Sequence, residues 1–441
     1  MKITVCSENI TPQIKTTLGC NGFNQIPFES IDSDIEINAI RLIQNNTNVL
    51  IISVDTLFVT NEIKAFVIDY LKDKLPVKED QVFIAASHTH YAPFLDESKP
   101  NLGTVNEAYY NYFIYKLKSL LDDLVSTTPE EADLQYSTVN IDDVSIGRRK
   151  RVWHPWRRFL IRKEMRIFPN SDQKIDTKLH CLQWVSKNSR KPLGVMWSFA
   201  CHPVSFYNPK NLSAHYIGDI RQHIRQKANI PVVFLQGFSG DIRPNIIGDD
   251  PFQNVPKEAS SSFIKWNKFT NFLRSIRRVF ITFLNRSKGF CTFTEASYFE
   301  WVEKIKNAVD ICLKNDHRIM AHSSIKPIVN TFPLSKISCN KSDQMVNFHG
   351  IHLNDEIIIL GVSAEVVSEY SLKLQAMHPD KIIIPVGCMG TVFGYWPTKT
   401  MLKESGYEVD GFHHGFSFDG NFNKSLEDTF YKVANDIIQS K

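Results

Sequence analysis

Val82-Phe83-Ile84-Ala85 runs through Ala86 into Ser87-His88-Thr89-His90, an apolar, β-branched stretch that ends in two histidines. A short run of this kind, bounded by polar residues, reads as a buried strand. The same pattern recurs along the chain. Leu193-Gly194-Val195-Met196-Trp197 leads to Cys201-His202-Pro203, and Val232-Val233-Phe234-Leu235 leads to Gly240-Asp241-Ile242-Arg243-Pro244-Asn245. Ile357-Ile358-Ile359-Leu360 leads to Ser363-Ala364-Glu365, and Ile382-Ile383-Ile384-Pro385-Val386 leads to Gly394-Tyr395. Open α/β sheets bind ligands beyond the carboxyl ends of their strands. Two histidine sites, a glutamate and a tyrosine at such ends predict one metal-centred pocket assembled from distant parts of the chain.

Helical periodicity lies between the runs. One strand–helix–strand unit goes from Val49–Ile52 through Ile63, Phe66, Ile68, Leu71 and Leu75 to Val82–Ala85. A second goes from Val195 through residues 214–228 to Val232–Leu235, and a third from Ile357–Leu360 through residues 364–377 to Ile382–Val386. Helices between buried strands imply crossover connections. The expected fold is therefore α/β: a mixed, largely parallel β-sheet core with flanking helices, its metal site at the strand C-terminal ends. Further helices are expected from Glu107 to about Val125 and from about Leu426 to Ile438. No fixed-period repeat or low-complexity tract is found. The length allows two or three domains, but large α/β enzymes often fold as one, and 1–441 reads as a single domain.

Composition narrows the class without naming a partner. Hydrophobic residues make up 43% of 441 and charged residues 22%, as in ordinary globular proteins, and the net charge is only +4. Met1–Glu8 lacks the apolar centre of a signal peptide, and no stretch reaches the ~18 uncharged apolar residues of a membrane span. The eight cysteines include no Cys-x-x-Cys pair, which points to reduced thiols and a cytoplasmic setting. Cys201 and Cys388, near the expected pocket, read as small core hydrophobes.

Two basic segments stand apart. Arg148-Arg149-Lys150-Arg151 begins a run continuing through Arg157 and Arg158 to Arg162, Lys163 and Arg166. The stretch 251–290 reads as an insertion. In it Phe269, Phe272, Leu273, Ile276, Phe280, Phe283 and Leu284 follow helical spacing, and Lys268, Arg274, Arg277, Arg278 and Arg286 fall largely elsewhere on the wheel. Nothing acidic occurs between Glu258 and Glu295. Such a helix either lies in a membrane interface, giving peripheral membrane contact through 263–288, or packs its apolar face on the body. No DNA- or RNA-binding motif accompanies these cations, so nucleic acid is not an expected partner.

The reactive residues are individually ambiguous. In a strand extension His88 and His90, two apart, face the same way. Each could equally be a polar loop residue. Pro203 fixes the backbone beside His202, Glu365 would suit a helix start, and Tyr395 an aromatic anchor. Together they form an imidazole and carboxylate set that suits zinc, with a position left open for water.

At this point the motifs resemble a known family. His88-Thr89-His90, His202-Pro203, Gly240-Asp241-Ile242-Arg243-Pro244-Asn245, Ala364-Glu365, Gly394-Tyr395-Trp396-Pro397-Thr398 and Gly406-Tyr407-Glu408 look like the catalytic domain of neutral/alkaline, non-lysosomal ceramidases. These are zinc amidases that cut the N-acyl bond of ceramide. Ile10-Thr11-Pro12 and a strand ending in Asp55 agree, and the likeness spans about residues 9 to 439. The resemblance implies that Zn2+ is held by His88, His202, Glu365 and Tyr395. It implies that His90 binds the substrate carbonyl, that Arg148 holds the intermediate and that Tyr407 is a second pocket tyrosine. Where the family carries a serine proposed as catalytic, this chain has Arg243, with Ser239 nearby but out of register. The secreted members have a signal peptide and a C-terminal immunoglobulin-like domain, and neither is read here.

The expectation is thus a zinc-dependent amide hydrolase acting on a small-molecule or lipid N-acyl substrate, cytoplasmic or peripheral to the membrane. The catalytic residues would be His90, Arg148, Asp241 and Tyr407. Either His90 or Asp241 would protonate the leaving amine, or Asp241 would orient a ligand histidine. An N-acyl lipid such as ceramide competes with an N-acetylated amino sugar as substrate. A non-catalytic binding protein keeping the fold is a further alternative, disfavoured because all four ligand positions are filled.

Overall fold

The computed structural model describes residues 1–19, 27–45, 47–155, 161–248, 281, 283–314, 318–319, 324–340 and 342–440. Its larger sheet has nine strands, in the order β10-β9-β8-β5-β1-β2-β3-β4 with β14 paired to β5. In chain order these are β1 (Lys2–Asn9), β2 (Glu36–Gln44), β3 (Thr47–Val54), β4 (Val82–Ala86), β5 (Glu130–Asn140), β8 (Lys178–Ser186), β9 (Pro192–Phe199), β10 (Val232–Gln236) and β14 (Arg318–Ile319). A second sheet runs β15 (Lys326–Pro333), β16 (Met345–His352), β17 (Ile357–Val362) and β19 (Ile382–Val386). Between β5 and β8 a ribbon of β6 (Ser145–Pro155) and β7 (Ile161–Asn170) carries β11 (Ile242–Pro244) on one edge. Two short pairs complete the set: β12 (Ile247–Gly248) with β13 (Gly289–Phe290), and β18 (Glu365–Val366) with β20 (Tyr395–Trp396).

The α/β class holds, but the sheets are not largely parallel. β1, β2 and β3 form an antiparallel meander, and β5, β8 and β9 pair antiparallel as well. Short connections permit such reversals, whereas parallel neighbours need long crossovers. The overlooked signal is alternation. β5 buries Ala132, Leu134 and Tyr136 and leaves the residues between them partly open, the pattern of a strand with one solvated face.

The longer parallel pairs among the described residues fall where the apolar runs predict them. β3 and β4 are joined through α1 (Asn61–Leu71), which is capped by Thr60 and buries Ile63, Val67 and Leu71. Farther along come α2 (Glu107–Ser126) and α3 (Tyr216–Ala228), the latter linking the parallel pair β9 and β10. β17 and β19 are joined through the helix Glu369–Met377. The pair β18 and β20 is also parallel, so Glu365 lies in a strand instead of opening the expected helix, which begins four residues later.

The period of two divides these strands between separate cores. Val49 and Ile51 of β3 and Ile357 and Ile359 of β17 meet in one cluster between the sheets. Leu50, Ile52, Ile358 and Leu360 fall in another, with α1 and α2. Close approach of the two sheets needs Gly361, because a Cβ there would come within 2.5 Å of the Phe83 ring.

The body of the basic insertion, including Phe269, Phe272, Leu273, Ile276, Phe280, Lys268, Arg274, Arg277 and Arg278, lies outside the described residues. Of its end, Phe283 is 77% exposed, and the Asn285 side chain bonds both the backbone N–H and the carbonyl of Trp153, at 2.8 and 3.0 Å. Among the described residues no helix is long and apolar enough to cross a membrane.

Candidate metal centre

The parallel pairs aim their carboxyl ends at one point. Beyond β4 the chain turns at His88, whose φ of 65° is left-handed. The two histidines therefore converge through a turn and not through the alternation of a strand extension. A bulky residue in that region is strained, and such strain persists where the surroundings enforce it. The His88 and His90 rings end 5.1 Å apart, and His88 and His202 4.9 Å apart. Ligand atoms of His88, His90 and His202 lie within 4.8 Å of one another.

Backbone carbonyls fix which nitrogens face the cluster. Nδ1 of His88 lies 3.1 Å from the Leu57 carbonyl, and Nδ1 of His202 lies 2.7 Å and 3.1 Å from the carbonyls of Ser239 and Ile242. A carbonyl only accepts, so each Nδ1 carries the proton and each Nε2 presents its lone pair inward. Glu365 Oε2 sits 3.4 Å from Nε2 of His88 and 3.1 Å from Nε2 of His202. Ligands ~2.0–2.1 Å from a tetrahedral ion are roughly 3.3 Å from one another, which is the spacing found here. Buried Nε2 atoms of His88 and His90 have no hydrogen-bond partner among the described residues, a costly arrangement for polar atoms in the interior unless something binds them. The donor set fits a metal ion.

Charge around the cluster follows from burial and proximity. Burial pushes His202 down to about 4. His90 is held well below its usual value by burial and by its histidine neighbours. Burial would raise Glu365, but His88 and His202 outweigh it and hold the carboxyl well below the ordinary range. Tyr395 lies in register with Glu365 across β18 and β20, and burial and that carboxylate raise its hydroxyl pKa well above the ordinary value.

Arg148 enters from the β6–β7 ribbon. Its guanidinium lies 5.4 Å from the Tyr395 ring and 5.3 Å from the Tyr407 ring. Nε donates to Glu408 Oε1 at 2.8 Å, while Arg149 Nη1 donates to Glu408 Oε2 at 2.5 Å. The Nη2 of Arg148 is buried with no hydrogen-bond partner among the described residues. Glu408 was not singled out in the sequence. The available signal was an acid inside the Gly406-Tyr407-Glu408 motif, in a chain with an Arg148-Arg149 pair to neutralise. The orienting roles of Leu57, Ser239 and Ile242 were not foreseen either, because their contribution is a backbone carbonyl that side-chain identity does not reveal.

His88, His90, His202, Glu365, Tyr395, Arg148 and Tyr407 all line one cavity of about 400 Å³. Asp241 does not join them. Its Oδ1 accepts from the Ser368 N–H at 2.7 Å, its Oδ2 accepts from Gln173 at 2.6 Å, and it lines a separate cavity of about 470 Å³. Burial pushes its pKa up to about 6. What orients His202 is the backbone on either side of Asp241, not the carboxylate. The loop can sit so close because residue 240 is glycine: a Cβ there would come within 2.7 Å of the Glu365 carbonyl oxygen. Cys201 and Cys388 are buried free thiols.

No protein-family model matches the chain, and no curated protein matches it in sequence. Solved structures do match in fold. The crystal structure of neutral ceramidase from Pseudomonas aeruginosa superposes with a TM-score of 0.66 at 13% identity, covering 99% of this chain and 74% of the ceramidase. A ceramidase complexed with C2 superposes with a TM-score of 0.63, again at 13% identity and over 99% and 74% of the two chains. The chain therefore has the fold of the neutral ceramidases, as the motifs led one to expect.

Proposed function

We propose that the protein is a zinc-dependent amide hydrolase of ceramidase-like kind, removing the acyl group from an N-acyl lipid, and that residues 1–441 act as one catalytic domain. The observation that carries this reading is the convergence of His88, His202 and Glu365, at ligand spacing, on the floor of a cavity in a ceramidase fold. His88, His202, Glu365 and Tyr395 would hold the ion. Zinc supplies a water of lowered pKa and polarises an acyl carbonyl.

The chain's own residues supply the rest. His90 faces the same cavity and offers an imidazole to the carbonyl oxygen or to the leaving nitrogen. Of the two proton carriers expected from the sequence it is the one that lines the cavity; being neutral, it would first take a proton from the attacking water and then pass it to the leaving nitrogen, so proton delivery to the amine is assigned to His90 and a positioning role to Asp241. Arg148 is charged at any working pH, its neighbours Tyr395 and Glu408 raising its pKa further against burial. Its Nη2 is placed to stabilise negative charge developing on the acyl oxygen. Tyr407 packs edge-on against Tyr395, ring centroids 5.4 Å apart, and covers that flank of Arg148.

An apolar wall of Leu57, Phe58, Leu102 and Phe416 supports an acyl chain longer than acetyl. The test is a substrate panel with the zinc-loaded protein, comparing long-chain ceramides with N-acetyl hexosamines. Fatty-acid release from the long-chain members is expected. Cleavage of the N-acetyl sugars alone would transfer the assignment to an amino-sugar deacetylase.

A further inference from the structure

His88 and His202 are aimed by backbone carbonyls, and one helix braces the turns around both. Beyond β3 the chain passes through Asp55 to Leu57, whose carbonyl faces Nδ1 of His88. The Ser87 N–H, next to His88, donates at 2.9 Å to the carbonyl of Val54, next to Asp55. α3 reaches this turn through Arg221, whose Nη2 donates to Asp55 Oδ2 at 2.6 Å. The same oxygen accepts from the Glu36 N–H at 3.0 Å. Arg225, four residues on, donates to both carboxylate oxygens of Glu36 at 2.6 and 2.8 Å. Near its start α3 also reaches the peptide that joins Cys201 to His202. There the Tyr216 hydroxyl donates to the Cys201 carbonyl at 2.9 Å, beside Gln236 Nε2 at 3.0 Å. Asp55, Arg221 and Tyr216 are buried, and none of them lines the cavity.

We propose that Arg221, acting through Asp55, and Tyr216 are positioning residues for the metal centre, so that α3 sets the separation of His88 and His202 and with it the affinity for the ion. This rests on the metal-binding part of the function proposed above and not on the choice of substrate. Burial works against charge at the Arg221–Asp55 pair: it raises the Asp55 carboxyl pKa, and it would lower that of Arg221, which Asp55 and Glu36 hold above its ordinary value. Such a pair is a weak source of net stability, because desolvation offsets the attraction. Its directed bond does restrain the turn that carries the Leu57 carbonyl. A metal site tolerates errors of only about 0.2 Å in its ligand distances. Groups that hold ligands in place commonly change metal affinity by about tenfold to a hundredfold.

The test is a zinc titration of the full-length, metal-free protein against a competing chelator, with Co2+ absorption spectra on the same variants. Each titration is run where urea unfolding shows the metal-free variant folded, so lost stability alone leaves the zinc Kd unchanged. Arg221→Met combined with Asp55→Asn removes both charges and keeps an acceptor for the Glu36 N–H. It should raise the zinc Kd on the order of tenfold to a hundredfold and shift the Co2+ bands. Arg221→Lys, which keeps a cation for Asp55, should lose less. Tyr216→Phe removes one hydroxyl and keeps the ring, and it should raise the Kd about threefold to tenfold. Wild-type zinc affinity in either the double variant or Tyr216→Phe would overturn the proposal, and Tyr216→Phe decides if the double variant does not fold. A loss in Arg221→Lys equal to that of the double variant would also overturn it. If the wild type takes up neither metal, the metal reading fails and this one with it. If zinc affinity falls in the variants as expected while no amide substrate is cleaved, the clamp stands and the hydrolase reading fails.

Discussion

His88, His202 and Glu365 sit beyond strands that are buried along their length, whereas Arg148 arrives on the β6–β7 ribbon, whose far half exposes Trp153 and Ile161. The histidines are aimed by backbone carbonyls of neighbouring turns, and those turns are fixed by the sheets. The guanidinium is aimed by one side chain, Glu408, which it shares with Arg149. On the proposed function, the end of the site that would hold the metal is built into the fold, and the end assigned to stabilising the oxyanion is attached to it through a buried ion pair. Changes at the two ends should fail in different ways.

The largest effect is expected at the metal end. His88→Ala or His202→Ala should reduce bound zinc from about one ion per chain to a trace and abolish hydrolysis, since three or four protein ligands make such a site. Metal content measured alongside activity checks this. Retained stoichiometric zinc in either variant would break the comparison.

At the ribbon end, Glu408→Gln should keep the metal and lose on the order of a hundredfold in kcat, as when an oxyanion donor is displaced. It should also lose stability of about 3 kcal/mol, because removing one partner leaves buried guanidinium charge uncompensated. Simultaneous measurement of kcat, zinc and urea unfolding separates the outcomes. Loss of zinc in this variant would show that the two ends are one unit.

Asp241 joins the ends, accepting from Ser368 beside β18 while its carbonyl accepts from the Arg148 N–H at 2.9 Å. Its folded-state pKa of about 6 lies above the ordinary 3.8. Protonation therefore favours the folded state: this contribution is fully present below the unfolded value and is lost as pH rises through about 6. Relative to Asp241→Asn, the wild type should gain about 2 kcal/mol of stability between pH 7 and pH 4. A pH-independent difference would place the carboxylate in a more hydrated setting than the hydrogen bonds indicate. The smallest effect is expected at Ser239, whose hydroxyl accepts from Gln236 at 2.7 Å and does not line the cavity. Ser239→Ala should stay within about threefold of wild-type kcat/KM, because no reacting group is touched. A trapped acyl-enzyme on Ser239 would overturn that.

The contrast also explains how far the sequence could be read. Apolar runs such as Ile357–Leu360 are buried on both faces, so their composition alone announces a parallel strand and the residue that follows it. The three crossover units and the residues beyond them were legible for that reason. Antiparallel strands such as β5 show only half-burial, and their alternation is diluted by charged residues on the open face, so the sheets read as more parallel than they are. The His88 turn was invisible because a left-handed φ at a histidine has no compositional mark. Glu408 was hidden for a different cause: an ion pair 260 positions apart is a property of the assembled fold. Asp241, inside a motif, drew a chemical reading when its loop contributes carbonyls.

The central claim is that zinc is held at the ends of the parallel strands. Anomalous diffraction at the zinc edge from crystals of the metal-loaded protein tests it most directly. The account predicts one peak ~2.0–2.1 Å from Nε2 of both His88 and His202, with oxygens of Glu365 and Tyr395 completing the shell. A peak bound through either Nδ1, a peak elsewhere in the chain, or crystals with no ordered zinc at this cluster would contradict it.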